Sequence, residues 1–101
     1  MAKCQSVPEI YGIAFFCPGC QCLHGVWIDK ATPNGHRWTW NGDAESPTIH
    51  PSIDVKTEFN SAGRATKRCH SFVTDGKIRF LNDSTHILSG QIVDLPDLSS
   101  V

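Results

Sequence analysis

The segment Cys17-Pro18-Gly19-Cys20 constrains the fold of this chain more than any other part of its sequence. Two cysteines separated by a proline and a glycine form a tight turn that brings both sulfur atoms to one side, the pattern of a zinc knuckle. A divalent ion in such a turn supplies the charge that keeps the thiols deprotonated. We therefore expect Cys17 and Cys20 to be ligands of Zn²⁺.

Two further residues are candidates for the remaining positions around the ion. Cys69 is distant in sequence but lies in a predicted strand, and His24 follows Cys20 by four residues. Cys22 could replace His24 as a ligand, although its position favours a side chain that faces away from Cys20. Four protein ligands would make the zinc site closed and structural, whereas three ligands and a water would leave it open for catalysis. The sequence leaves both arrangements open.

Other uses of the cysteine loop fit less well. A thioredoxin-like redox pair lies at the start of a helix, and the residues after Cys20 are not typical of a helix start. Haem attachment requires a histidine directly after the second cysteine, where this chain has Gln21. The number of cysteines is five, an odd number, which disfavours a disulfide framework. Cys4 is interpreted as a free thiol near a loose end of the chain.

The length predicts one domain, residues 1–101, and the cysteine loop makes zinc binding the expected property of that domain. Hydrophobic residues make up 40% and charged residues 19%, as in ordinary globular proteins. No apolar run is long enough for a signal peptide or a membrane span, so we expect a cytoplasmic location, in a bacterium or an infected host, and no membrane partner. The net charge of −1 makes nucleic acid an unlikely partner. The basic segment GRATKR (63–68) is interpreted as a solvated loop.

Short alternating runs separated by Gly, Pro, Asn and Asp predict a mostly β protein, a small antiparallel domain with a zinc knuckle and one short helix. The helix is expected at NDSTHILSG (82–90), capped by Asp83 or Ser84 and ended by Gly90. The predicted strands are YGIAFF (11–16), HGVWI (24–28), HRWTW (36–40), IDVKTEF (53–59), KRCHSFVT (67–74), KIRFL (77–81) and QIVDL (91–95).

The dipeptide Asp75-Gly76 allows a sharper prediction about the two strands that flank it. An Asp-Gly loop of two residues favours a type I′ hairpin turn, which opposes Ser71 to Phe80 and continues the pairing toward Cys69. Because side chains alternate across a strand, Cys69 and His70 should point to opposite faces of the sheet. They would then serve two different sites.

Polar residues that could perform acyl transfer lie in SPTIHPSI (46–53) and RCHSFVTDG (68–76). Ser52 is the candidate nucleophile and His70 the candidate base, because a histidine can take the hydroxyl proton and return it to the leaving amine. The chain has no Gly-x-Ser-x-Gly motif, so a structural interpretation of Ser52 as a turn or strand-start residue stays open.

The partner that would orient the histidine is ambiguous in sequence. Asp83 and Asp75 are both candidates for a carboxylate that holds the imidazole. His86 lies three residues after Asp83 and is an alternative base. Spacing alone does not choose among these residues.

The strings FFCPGC, WTWNGD, SPT, PSI and CHSFVTDGKIRFLNDSTHILSGQIVDLP resemble a family of small phage and bacterial proteins often labelled ammonia monooxygenases. The family is similar to the BubE-type proteins found beside bacterial ubiquitin-like conjugation genes. The resemblance covers Phe15 to Pro96 and is most specific in the C-terminal half. His50 stands where the family pattern has a small residue. Nothing in the sequence indicates a copper or di-iron site, so the monooxygenase label has no support here.

The resemblance implies a metal-bound β protein with peptidase activity toward ubiquitin-like tails or conjugates. Its metal motif falls on Cys17, Cys20 and Cys69, with His24 as a further candidate, and its polar motif on Ser52, His70, Asp83 and His86. The resulting hypothesis is a zinc-stabilised hydrolase in which Ser52 attacks, His70 acts as base and Asp83 orients it. The alternative is a non-catalytic zinc-ribbon-like module that binds a peptide or protein along Trp38, Trp40 and an exposed strand edge.

Overall fold

The computed structural model describes residues 2–101 and contains two antiparallel sheets, one of three strands and one of five. This architecture confirms the predicted mostly β fold. The neighbouring strands are β1-β2-β3 in the first sheet and β4-β5-β6-β7-β8 in the second. The strands are β1 (Cys4–Val7), β2 (Gly12–Cys17), β3 (Cys22–Trp27), β4 (Thr39–Trp40), β5 (Ile49–Phe59), β6 (Ala65–Thr74), β7 (Lys77–Phe80) and β8 (Ile92–Asp94).

The first sheet carries the cysteine loop at one end. β2 and β3 pair directly across it, and Cys17 stands opposite Cys22. The interpretation of Cys4 as a thiol near a loose end is wrong in its location: Cys4 begins β1 opposite Phe15 and is only 1% exposed. It is a free thiol, but it belongs to the core.

The second sheet is built around the long hairpin of β5 and β6. The register between these strands shifts from Ile49 opposite Val73 to Ile53 opposite Ser71, so three residues of β5 bulge out opposite one residue of β6. The bulge holds His50, Pro51 and Ser52, and the peptide bond between the first two is cis. Pro51 donates no backbone hydrogen bond, which suits a position outside the regular ladder.

The Asp75-Gly76 turn has the predicted form. Asp75 and Gly76 both adopt positive φ angles, 50° and 77°, as a type I′ turn requires. Thr74 pairs with Lys77 and Ser71 with Phe80, which is the predicted register. The sequence of the turn thus sets which face each residue of β6 occupies.

The core lies between the two sheets. Aliphatic and aromatic side chains from both sheets are removed from water there, which is the dominant stabilising contribution in a domain of this size. The fully or nearly buried members are Cys4, Ile13, Phe15, Cys17, Val26, Ile49, Ile53, Cys69, Val73, Ile78, Phe80 and Leu95.

The helix expected at residues 82–90 is not formed. This segment makes a series of turns, and the helices of the described chain are two short 3₁₀ helices at Pro8–Ile10 and Leu98–Ser100. The reason is that Ser84 and Thr85 bond to β6 rather than cap a helix: Ser84 Oγ contacts the backbone of His70, and Thr85 Oγ1 that of Arg68. No helix within residues 2–101 is long and apolar enough to cross a membrane.

Candidate active site and metal centre

The bulge in β5 directs Ser52 toward the neighbouring strand. The Oγ atom of Ser52 and Nε2 of His70 are 3.0 Å apart. His70 lies at the middle of β6, directly opposite Asp54, and its side chain is largely shielded from solvent. A serine hydroxyl at this distance from an imidazole can transfer its proton to the ring.

The other ring nitrogen of His70 faces a carboxylate. Nδ1 lies 3.0 Å from one oxygen of Asp83 and 3.3 Å from the other. This hydrogen bond, with help from the charge of Arg68, lowers the pKa of Asp83 below its usual value, although partial desolvation opposes it. An ionised carboxylate on Nδ1 keeps the proton there and leaves Nε2 free to accept the hydroxyl proton of Ser52.

The turn that carries Asp83 is fastened to β6. Ser84 Oγ accepts a hydrogen bond from the His70 N–H at 3.0 Å and donates one to the His70 carbonyl at 3.0 Å. The Leu81 N–H also donates to that carbonyl. Residues on both sides of Asp83 are therefore bonded to the backbone of His70, the residue whose ring the carboxylate contacts.

Arg68 connects the carboxylates on this face. Its guanidinium donates two hydrogen bonds to Asp54, at 2.9 and 2.7 Å, and lies 3.0 Å from Asp83. The bidentate contact lowers the pKa of Asp54. The interpretation of GRATKR as a solvated loop is wrong for Lys67 and Arg68, which lie in β6.

A second group of side chains lies on the other face of β6. One ligand atom each from Cys17, Cys20, Cys69 and His86 can be chosen so that all four lie within 4.8 Å of one another. Three sulfurs and an imidazole at such distances are a donor set that zinc favours. The Nε2 atom of His86 is buried and has no hydrogen-bond partner among residues 2–101, which leaves it available to a metal ion.

The thiols in this group do not ionise independently. A hydrogen bond from Cys69, whose sulfur is 3.8 Å away, lowers the pKa of Cys17 to about 4. The same contact, together with burial, raises the pKa of Cys69. Burial and the charge of Cys17 raise the pKa of Cys20 to about 11. The protein alone therefore stabilises one thiolate, and a divalent cation would stabilise all three.

His24, the histidine expected in the metal site, lies outside this group of four. It is buried beside Cys17, whose pKa it helps to lower, and its ring meets Phe15 edge-on at 5.8 Å between centroids. Its Nε2 also has no hydrogen-bond partner among the described residues. Cys22 is exposed and is likewise outside the group.

The structure thus places the sequence candidates in two separate clusters. Ser52, His70 and Asp83 lie together on one face of the second sheet, and Cys69 joins the front cysteine loop on the other face. This separation follows from the alternation of adjacent side chains along β6. Asp75 is not part of the first cluster: it bonds to Thr48 at the hairpin turn.

Sequence reasoning missed Arg68 and assigned His86 a different role, as an alternative base. Arg68 precedes His70 by two residues and therefore shares its face, so strand alternation was a usable signal. His86 had no such signal, because its position depends on the turns of residues 82–90. Its ring packs against Phe80 at 4.4 Å between centroids and lies so close to Gly19 that a Cβ there would overlap it.

The fold and these two clusters define a class of small β protein. It combines a serine, a histidine and an aspartate joined by hydrogen bonds with a Cys/His group able to bind a metal. Comparison with protein-family models identifies the chain further: residues 3–81 match the family described as bacterial ubiquitination-like system serine protease (BubE), and the chain belongs to this family. The matched residues include Ser52, His70 and the three clustered cysteines, while Asp83 and His86 follow them. No curated protein and no solved structure matches the chain.

Proposed function

We propose that this protein is a zinc-stabilised serine peptidase that cleaves the peptide or isopeptide bond after the C-terminal tail of a ubiquitin-like protein. The observation that carries the proposal is the continuous contact from Ser52 Oγ through both nitrogens of His70 to Asp83. The family membership supports the substrate class, because its description names a serine protease of a ubiquitination-like system.

In the proposed mechanism, His70 Nε2 accepts the hydroxyl proton while Ser52 Oγ attacks the carbonyl carbon of the scissile bond. The imidazolium then gives that proton to the leaving amine, and an acyl-enzyme forms on Ser52. A water molecule, deprotonated by the same nitrogen, attacks the ester and releases the tail with a free carboxylate. Asp83 stabilises the imidazolium in both halves of the reaction.

The zinc ion in this proposal is structural. Cys17, Cys20 and Cys69 would hold it, and His86 replaces His24 as the fourth ligand because it is the histidine within 4.8 Å of the sulfurs. The residues fit such an ion, since zinc bound by three cysteines and one histidine is a closed tetrahedral site. Bound zinc would join the front loop to β6 and so fix the strand that carries His70.

An organophosphorus probe tests the central claim, that the Ser52 hydroxyl is activated. We expect a fluorophosphonate to label the wild-type protein stoichiometrically at Ser52, as located by peptide mass spectrometry, because an imidazole at 3.0 Å increases the nucleophilicity of the oxygen. The His70→Ala variant should label at least about 100-fold more slowly. Ser61, which is exposed in the β5–β6 loop, is the internal control. Equal labelling of both serines, or no labelling of Ser52, would contradict the proposal.

Arg68 is expected to act as a positioning residue for the same reaction. In Arg68→Met, Asp83 loses the guanidinium at 3.0 Å and the carboxylate is less constrained beneath His70. We expect kcat to fall about tenfold with little change in KM, since small displacements of catalytic groups are costly. The matched control is Arg64→Met, an exposed arginine of the adjacent loop. Equal kcat values for both variants would show that Arg68 has no part in positioning.

A further inference from the structure

The long strand β5 has a free edge that begins at the candidate nucleophile. On its outer side, the side that faces away from β6, β5 pairs with β4 only through Ile49 and His50. From Ile53 to Phe59 it pairs with β6 on its inner side. No other strand of the described chain pairs with this stretch, so its outer backbone groups are available to a further strand.

The hydrogen bonds of β6 reveal which groups of β5 point outward. The backbone groups of His70 and Arg68 bond away from β5, to Leu81, Ser84 and Thr85. Antiparallel strands alternate between pairs that exchange hydrogen bonds and pairs that do not. The intervening residues of β6 therefore bond to β5, and the residues opposite His70 and Arg68, which are Asp54 and Lys56, direct their N–H and C=O groups to the free edge.

Ser52 belongs to the same alternating series, two residues before Asp54. Its carbonyl accepts a hydrogen bond at 3.2 Å from the indole N–H of Trp38. Trp38 is itself held by β3, because its backbone N–H donates to the Trp27 carbonyl. Because the Trp38 indole already bonds to the outward carbonyl of Ser52, an added strand cannot pair with that carbonyl. It can pair along Asp54 and Lys56 and must end its pairing at the candidate nucleophile.

We propose that the substrate segment preceding the scissile bond binds as an added antiparallel strand along this edge of β5. The inference rests on the proposed peptidase function and specifies how its substrate is recognised. β5 runs away from Ser52, so an antiparallel partner runs toward it and delivers its C-terminal carbonyl to the hydroxyl. An extended, flexible tail can adopt this conformation, and its pairing with β5 ends where Trp38 bonds to the Ser52 carbonyl.

The position of the edge also sets a side-chain preference. Residues paired across two strands share a face, so the substrate residue opposite Val55 lies over the cleft of about 740 Å³ that Val55, Thr57 and Leu23 line together with Cys20, Cys69 and His86 of the Cys/His group. Leu23 is 54% exposed there. The substrate residues opposite Asp54 and Lys56 lie on the polar face. The site therefore favours a side chain there that fits this partly apolar cleft, with polar or small residues on either side of it.

The test uses the wild-type protein and a mixed-sequence library of hexapeptidyl aminocoumarin amides. The best substrate is then resynthesised with single N-methyl groups at each peptide nitrogen. We expect kcat/KM to fall about tenfold or more when the methylated nitrogen faces Asp54 or Lys56, because each loses a hydrogen bond that the edge cannot replace. Methylation at the intervening residue should have an effect of less than about threefold, which gives a period of two along the peptide.

A pair of variants tests the edge from the protein side. Lys56→Pro removes the outward N–H without removing a bond to β6, and Lys56→Ala removes the same side chain while keeping the N–H. We expect KM for the best hexapeptide to be about tenfold higher in the proline variant than in the alanine variant. If the proline variant does not fold, the N-methyl series still decides the matter.

The outcomes separate this inference from the proposed function. If Ser52 reacts with the fluorophosphonate but no hexapeptide is cleaved, or if N-methylation shows no alternation and the two Lys56 variants have equal KM, strand addition is wrong while the activated serine stands. If Ser52 is unreactive and no peptide is cleaved, the proposed function fails and the inference fails with it.

Discussion

Ser52→Ala should reduce cleavage of a ubiquitin-like fusion protein by a factor of about 10³ or more, because the proposed mechanism has no covalent route without the Ser52 hydroxyl. Ser52 is half-buried in the bulge of β5, and its side-chain hydroxyl contacts His70. Its removal leaves the core between the sheets unchanged. We therefore expect kcat to collapse while the melting temperature stays within a few degrees of that of the wild type.

The control for this variant is Ser61→Ala, in the exposed loop of the same hairpin. Cleavage is followed by gel electrophoresis and by mass determination of the released tail, and folding by circular dichroism. Full cleavage by Ser52→Ala would exclude the serine mechanism. If chelation at intact fold then abolished that cleavage, a metal-bound hydroxide would be the nucleophile instead.

The part of the fold that could be predicted is the part fixed by local chemistry. Asp75-Gly76 determines its own turn type, and the turn determines the register of β6 and β7. The consequence for Cys69 and His70, placement on opposite faces, followed without any knowledge of the tertiary structure. By contrast, β1 was missed because CQSV has a weak pattern, and its strand exists only through pairing with β2.

Tertiary contacts also explain why the helix predicted at residues 82–90 does not form. The segment at 82–90 contains residues with acceptable caps, but Ser84 and Thr85 find hydrogen-bond partners on the backbone of β6. Side chains that bond to a neighbouring strand compete with local helix formation. Sequence gives the capping residues but not the strand that lies beside them.

The same limit applies to the candidate site. Ser52, His70 and Asp83 could be nominated because their chemistry is distinctive, and the structure brings the three together. The choice between His24 and His86 for the Cys/His group could not be made from spacing. His24 is close to Cys20 in sequence. His86 is distant in sequence and lies near the sulfurs only because the turns of residues 82–90 pack its ring against Phe80.

Cys17→Ser should abolish metal binding at the proposed zinc site and remove much of the protein's stability. Structural zinc sites contribute about 10–16 kcal/mol in small peptides, comparable with the whole free energy of unfolding of a domain this size. We expect loss of the bound zinc, measured by elemental analysis, and a fall in melting temperature on the order of 20 °C or unfolding at room temperature. Chelation of the wild-type protein should have the same effect.

The matched control is Cys22→Ser, because Cys22 faces Cys17 directly across the β2–β3 pair but is exposed and outside the group of four. It should keep one zinc per chain and melt within a few degrees of the wild type. Among the histidines, His86→Ala should lose zinc affinity and His24→Ala should retain it. The opposite order would make His24 the fourth ligand. Unchanged zinc binding by Cys17→Ser would show that the Cys/His group is not the zinc site.

Replacing zinc by cobalt separates the structural role of the ion from a catalytic one. The Cys/His group of the proposed zinc site and Ser52 lie on opposite faces of the second sheet, and β6 links them through the adjacent residues Cys69 and His70. A closed site therefore acts on the reaction only by holding β6 in place, and kcat of the cobalt protein should stay within about threefold of the zinc protein. The cobalt spectrum should show the intense thiolate charge-transfer and tetrahedral bands of a four-coordinate site. A large change in kcat on substitution would instead place the ion at the reacting atoms.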